Sequence, residues 1–288
     1  MKNNKVLKIF SFLTLKTTKL HLILSAIVLS LIIGITIARI PNKKNNLKVF
    51  VINGRRIYYT DEGKGKPILL IHGYACDHIV WQKQVPVLSK KYRVITLDLP
   101  FFGKSDPGYK PHNTASQAKD CLALLNHLDI HRTFLLGHSM GGTIARDIYF
   151  LEPERVKAII GLDNSALMPA LNQLSGLLNT HRPTALEYSS PISDPLVVEY
   201  EELKLTVRCP KPRFIPTPPE KWCKVPILVI WTTRGSYTSN DIPPGWITAN
   251  SPAKHTNLVI VPNSGHWIMF EQTELLNRAV LNFLDELN

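Results

Sequence analysis

The hydrophobic pattern of this chain changes period several times. Leu22 to Ala38 is an unbroken, uncharged apolar run, and Leu20 and Ile40 extend it to about the 20 residues a helix needs to cross a bilayer core. After a polar tether at 41–46, Leu47–Ile52 and Arg56–Thr60 are rich in β-branched and aromatic residues. They flank Asn53-Gly54, a strong hairpin turn signal, so two antiparallel strands are predicted. From Pro67 onward, short apolar runs alternate with amphipathic ones. Pro67–Ile71, Arg93–Leu97, Thr133–Leu136, Val156–Leu162, Pro226–Trp231 and Asn257–Val261 read as strands, the continuously apolar ones buried on both faces of a parallel sheet. Segments near His78–Lys90, Thr114–Leu128, Gly142–Leu151 and Thr273–Leu287 read as helices. This alternation predicts βαβ crossovers and an α/β fold with a doubly wound, mostly parallel eight-stranded sheet. Its ligand site is expected beyond the carboxyl ends of the strands.

The alternation breaks between Asn164 and Cys223, a segment that holds nine of the 21 prolines. Two helices are predicted within it, near Pro169–Thr180 and Pro195–Val207. An insertion directly after a strand's carboxyl end has few places to lie other than over the site, so it reads as a small helical lid. The expected organisation is an N-terminal flank and transmembrane anchor over 1–40, the tether at 41–46, and one α/β domain over 47–288 with its lid at about 164–223.

Charge refines this picture. The 288 residues carry a formal net charge of +12. Lys2, Lys5, Lys8, Lys16, Lys19 and Arg39, with no acid among residues 1–40, supply half of it. Lysines beside an apolar helix suit anionic lipid headgroups, and the rest of the chain has no Arg/Lys cluster interleaved with aromatics, which argues against nucleic acid as a partner. Five lysines precede the apolar span, while Arg39, Lys43, Lys44 and Lys48 follow it. The positive-inside rule then favours, by a small margin, a cytoplasmic N-terminus and an extracytoplasmic domain on a single-pass anchor. A cleaved signal peptide is the alternative, but the flank before the apolar run is long and no clear A-x-A site follows it.

The candidate chemistry centres on Gly137-His138-Ser139-Met140-Gly141, which fits G-x-S-x-G at a predicted strand-to-helix switch. There a sharp turn exposes a serine hydroxyl while glycines permit close strand–helix approach. Ser139 is the candidate nucleophile. A serine hydroxyl needs a base to take its proton and an acid to orient that base. His266, in Asn263-Ser-Gly-His-Trp267 just after the last strand, is placed to reach back over the sheet. Cys76, Cys121, Cys209 and Cys223 form no C-x-x-C, and the chain has neither H-E-x-x-H nor a phosphate-cradling glycine loop, so no metal and no cofactor are expected. Cys209 and Cys223 could close a loop under the lid or stay buried thiols.

Taken together, His72-Gly73, Asp98-Leu-Pro-Phe-Phe-Gly-Lys-Ser-Asp106, Gly137-His-Ser-Met-Gly-Gly142 and Gly265-His266-Trp267 resemble the α/β-hydrolase superfamily over roughly residues 47–288. The resemblance implies Ser139 as nucleophile, His266 as base, and an oxyanion hole from the backbone N–H groups of Tyr74 and Met140. It also implies His72, Gly73, Phe101, Phe102 and Trp267 on the substrate side. Phe101 stands where the family commonly has glycine. The family's commonest acid position, four residues beyond Trp231, is occupied here by Gly235. Two candidates remain: Asp163 at the end of the preceding strand, and Asp241 further along the loop after Trp231. Val156 to Pro169 resembles a haloalkane dehalogenase subgroup with its acid at the Asp163 position. Those enzymes use an aspartate nucleophile, so their reaction does not carry over. Asp98 and Asp106 are expected to shape a turn.

The implied function is a membrane-anchored serine hydrolase acting on carboxylic esters or related small acyl compounds. The lid residues Leu171, Leu174, Leu177 and Leu178 suggest an apolar acyl part. Carbon–carbon bond hydrolysis or perhydrolysis on the same machinery is one alternative. A membrane-tethered binding protein with a degenerate site, suggested by Gly235, is another.

Overall fold

A computed structural model of the chain describes residues 46–108, 113–164, 223–232 and 256–287. The chain divides after Asn46, and the domain considered below begins at Leu47. The anchor expected at 22–38, the lid and its two helices, and Asp241 all lie outside the described residues. Among the described residues, no helix is long and apolar enough to cross a membrane.

The domain is built on one eight-stranded sheet: β1 (Lys48–Ile52), β2 (Arg55–Glu62), β3 (Pro67–Ile71), β4 (Arg93–Leu97), β5 (Thr133–His138), β6 (Val156–Leu162), β7 (Ile227–Thr232) and β8 (Thr256–Val261). The spatial order is β1-β2-β4-β3-β5-β6-β7-β8. The β1–β2 and β2–β4 pairs are antiparallel and every other pair is parallel. At the β1–β2 hairpin Asn53 (φ 48°) and Gly54 (φ 76°) both take positive φ, the backbone that an Asn-Gly turn provides. From β3 the chain steps to β4 on one side and then returns to place β5 on the other. The crevice at the ends of β3 and β5 is therefore the topological switch point, where doubly wound sheets bind ligands.

The period-2 geometry of the strands sends alternate side chains to two separate cores. On one face, α2 (Thr114–His127) and α3 (Met140–Leu151) pack Cys121, Leu125, Ile144 and Ile148 onto Leu69, Ile71, Leu135 and Ile159. On the other, Trp81 and Leu88 join Ile268 of α4 (Ile268–Glu271) and Leu276, Val280 and Leu284 of α5 (Thr273–Glu286) against Ile68, Leu70, Leu136 and Ile230. Both faces being covered accounts for the unbroken burial of β5 and β7 and for their lack of polar alternation.

One predicted helix is broken. The segment expected to run from His78 to Lys90 forms a single 3-10 turn, His78–Trp81, and a short α1 (Val85–Leu88). Pro86 has no amide hydrogen to give the preceding turn, so a continuous helix cannot form there. Gln84, wholly buried at the break, spends its side-chain amide on the Met269 carbonyl (3.0 Å) and so ties the break to α4.

Helix α2 begins where its sequence says it should. The Asn113 side chain accepts from Ser116 N–H (2.8 Å), and the Asn113 N–H donates back to Ser116 Oγ (3.2 Å), a reciprocal capping box. Asn113→Ala is expected to cost about 1 kcal/mol of stability. Chemical denaturation should show it as a lower midpoint with an unchanged slope.

Candidate active site

The elbow is tighter than its sequence suggests. β5 runs on through His138 and α3 starts at Met140, so Ser139 alone makes the turn, at φ 50° and ψ −119°. Two close approaches force this geometry. A Cβ on Gly137 would lie 2.3 Å from the Gly141 carbonyl oxygen, and a Cβ on Gly141 would lie 2.1 Å from that of Ile71. Only hydrogen fits at either place, so strand and helix meet almost in contact and the serine is pushed out of the turn. Ser139 is partly exposed while His138 and Met140 on either side of it are buried. Its N–H donates to the Leu162 carbonyl of β6 (2.9 Å), which ties the elbow to the neighbouring strand.

Asp163 directly follows β6 at φ 42°, a left-handed conformation that aspartate tolerates better than most residues. Its carboxylate is 0% exposed, and Oδ2 accepts from His266 Nδ1 at 2.5 Å. That bond places the ring proton on Nδ1 and leaves Nε2 as the basic nitrogen. His266 itself lies between β8 and α4, with its side chain 18% exposed. Asp241 lies outside the described residues.

Apart from His138, whose motif position lies behind the serine, sequence reasoning did not single out the residues that brace this arrangement. Asn164 donates its side-chain amide to the Ser139 carbonyl (2.5 Å) and to Thr143 Oγ1 (3.2 Å). Glu271 Oε2 accepts from Gly265 N–H (2.9 Å), holding the turn before His266. His138 donates Nε2–H to the His266 carbonyl (2.8 Å). The signal for two of them was adjacency, since His138 abuts Ser139 and Asn164 abuts Asp163. Glu271 carried none.

Of the five residues expected on the substrate side, four are buried beneath it. His72 is 0% exposed, donates Nδ1–H to the Gly73 carbonyl (2.7 Å) and accepts Leu99 N–H at Nε2 (3.0 Å). With both ring nitrogens used, it pins the turn after β3 to the turn after β4. Burial pushes its pKa down to about 4, which keeps the ring neutral. Phe102, 1% exposed, meets the rings of His72 and Tyr74 edge-on at 5.5 and 5.7 Å and so supports the Tyr74 turn from below. Trp267, 2% exposed, packs against the His138 and His266 rings. Gly73 is also buried, where a Cβ would meet His138 Nδ1 at 2.8 Å. Phe101 is partly exposed and adopts φ 75°. The glycine-type backbone is thus kept although the residue is phenylalanine, a local strain of order 1–3 kcal/mol.

Asp98 and Asp106 do shape turns. Asp98, 0% exposed, accepts from His78 Nδ1 (2.6 Å), His78 N–H (2.9 Å) and Lys104 N–H (2.9 Å), while Asp106 receives Arg56 through two side-chain bonds and one backbone bond. Burial opposes charge on Asp98, but the hydrogen bond and charge of His78 outweigh it and its pKa falls. Burial likewise opposes charge on His78, and the Asp98 hydrogen bond and charge, with Asp77, raise its pKa overall. Cys76, Cys121 and Cys223 are buried thiols; burial pushes Cys223 up to about 12, and Cys209 lies outside the described residues.

This fold is shared with known proteins. A sequence profile described as the alpha/beta hydrolase fold matches residues 66–188. A dihydrolipoyllysine-residue acetyltransferase component of the acetoin cleaving system from Pseudomonas putida is 26% identical over 81% of this chain and 68% of its own. Bifunctional epoxide hydrolase 2 of Sus scrofa is 26% identical over 56% of this chain, a match that spans only 29% of the pig protein. Among solved structures, a membrane phospholipase A superposes with a TM-score of 0.64 at 24% identity, covering 95% of this chain and 98% of that one. Residues 66–188 thus match the alpha/beta hydrolase profile, and the domain has the fold of the superposed solved structure.

Buried His72 and partly exposed His78 oppose one another as pH changes. The raised pKa of His78 contributes stability that is complete below its ordinary 6.5 and is lost as pH rises through the raised value. The depressed pKa of His72 removes stability as pH falls from 6.5 toward 4, because the unfolded chain binds a proton that the fold refuses. Melting temperature measured against pH should therefore fall on both sides of about 6.5. His78→Asn, which keeps a donor for Asp98 but cannot titrate, should flatten the alkaline side only.

Proposed function

We propose that the chain is a serine hydrolase that cleaves carboxylic esters or related acyl compounds through Ser139, His266 and Asp163. The observation that carries this reading is the 2.5 Å contact between the buried Asp163 carboxylate and His266 Nδ1, together with a serine that alone forms a strained strand-to-helix turn and whose neighbour His138 bonds the His266 carbonyl. In the proposed reaction His266 Nε2 takes the Ser139 proton as Oγ adds to the acyl carbonyl. The Asp163 carboxylate holds the tautomer and offsets the positive charge that develops on the ring. The tetrahedral oxyanion is met by the backbone N–H groups of Tyr74, in the turn after β3, and Met140, whose N–H stands at the first turn of α3 where helical amides have no partner within the helix. Collapse expels the alcohol, which takes the proton from His266. Water, activated by the same imidazole, then releases the acid from the acyl-enzyme.

A serine at the elbow supports acyl transfer over the epoxide chemistry named for the pig relative, because its natural covalent product is an ester that water can cleave. A fluorophosphonate probe should label the wild type and leave Ser139→Ala unlabelled. Asp163→Asn should keep the fold and lower kcat by roughly 10⁴-fold, as expected when the base is left in the wrong tautomer. Unchanged turnover in that variant would remove Asp163 from the triad.

The reading extends to location. The apolar run Leu22–Ala38 with its lysine flank supports a single-pass anchor that brings the domain to a lipid surface, and the superposable protein is named for a membrane phospholipase A activity. The full chain should stay with the membrane fraction through an alkaline carbonate wash, and a chain starting at Asn46 should be released. Retention of the shortened chain would sink the anchor.

A further inference from the structure

We propose that His138 is a positioning residue that sets the separation between the elbow and the base, a role that rests on the serine-hydrolase reading above. Ser139 and His266 sit on turns 127 positions apart in sequence, and something must fix one turn against the other to a fraction of an ångström. His138 is covalently attached to Ser139, and its side chain reaches the backbone of His266 itself. Nε2 lies 2.8 Å from the His266 carbonyl oxygen, an atom that can only accept, so the proton resides on Nε2. The two imidazole rings stand with centroids 4.5 Å apart, and the Trp267 ring closes the far side at 5.5 Å. On its other edge, Nδ1 presses so closely on Gly73 that a Cβ there would come within 2.8 Å. One ring, 1% exposed, therefore touches three turns: the elbow after β5, the turn after β3 that would supply an oxyanion donor, and the turn after β8 that carries the base.

The bond to the carbonyl constrains more than distance. It fixes the peptide plane following His266, and with Asp163 holding Nδ1 it leaves the His266 side chain clamped at both backbone and ring. Either clamp alone leaves a hinge: the carbonyl bond would let the ring swing, and the carboxylate bond would let the whole turn shift along the sheet edge. Two further bonds on that turn, Glu271 to Gly265 N–H and Ser264 Oγ–H to the Val261 carbonyl, act before His266 and do not reach across to the elbow.

Two polar variants separate the strut from mere filling. A glutamine amide can stand where His138 Nε2 stands, whereas an asparagine amide reaches only to the position of Nδ1. His138→Asn is expected to lower kcat by roughly 10- to 100-fold with KM changed by less than about three-fold, since small misplacements of reacting groups act on the rate rather than on uniform binding. His138→Gln should recover all but a few-fold of the loss. The same order should hold for the rate of fluorophosphonate labelling. A second readout needs no turnover: the low-field proton of His266 Nδ1–H, assigned by its absence in Asp163→Asn, should broaden or move in His138→Asn and persist in His138→Gln, both at temperatures below their measured melting points. Wild-type rates in His138→Asn would overturn the strut, as would equal losses in both variants with an undisturbed His266 proton. If the wild type is labelled and these outcomes follow, the strut fails while the serine-hydrolase reading stands. If the wild type is neither labelled nor active on any ester, that reading fails and the strut falls with it as a catalytic device.

Discussion

A carboxylate sunk out of reach of water, facing an imidazole N–H, is the contact on which the rest of the site depends. Burying an ionised carboxylate costs several kcal/mol unless its charge is met by a partner of good geometry. The Asp163 side chain is 0% exposed, and the donor delivered by the turn carrying His266 offsets part of that cost. The requirement runs through the sheet. The Asp163 N–H continues the ladder to Ile230 of β7, and β7 is paired with β8, whose end launches the His266 turn. Strand register therefore delivers the imidazole, and the imidazole in turn justifies the buried charge.

The same economy appears on the other side of the switch point. His72 and Phe102 hold the turns after β3 and β4 together from beneath, and the neutral state of His72 suits its acceptance of a backbone N–H at Nε2. His78 and Asp98 do a related task with charge, locking the start of the 3-10 turn to the loop that contains Phe101. Phe101 can keep its positive φ because that loop is pinned at Asp98 and at Asp106. The elbow stands between these two fastened regions, and nothing but Ser139 connects its strand to its helix.

Most of this architecture could be read from the chain because it depends on local pattern. The eight strands follow from apolar runs, and the Asn53-Gly54 hairpin follows from side-chain chemistry two residues long. The expected 78–90 helix failed for an equally local reason, Pro86, which the apolar periodicity had masked. The elbow residue and the histidine after β8 were visible as motifs. The choice between Asp163 and Asp241 was not, because it depends on where two loop ends lie in space, and only the first falls among the described residues. The burial of His72, Phe102 and Trp267 was hidden for a similar reason. A His-Gly turn looks superficial in sequence, and what submerges His72 is an amide 27 residues away together with the ring of Phe102.

Asp163 and Asn164 are consecutive, yet one side chain orients the imidazole and the other grips the serine carbonyl. A single peptide unit at the end of β6 therefore indexes the serine turn and the imidazole turn at once, like a shared datum from which two parts are machined. Such a joint can absorb changes of side chain one at a time, but not a change of length. One inserted or deleted residue would exchange the two side chains' directions and mis-set both turns together, so divergence in this lineage should prune indels at 163–164 far more severely than substitutions.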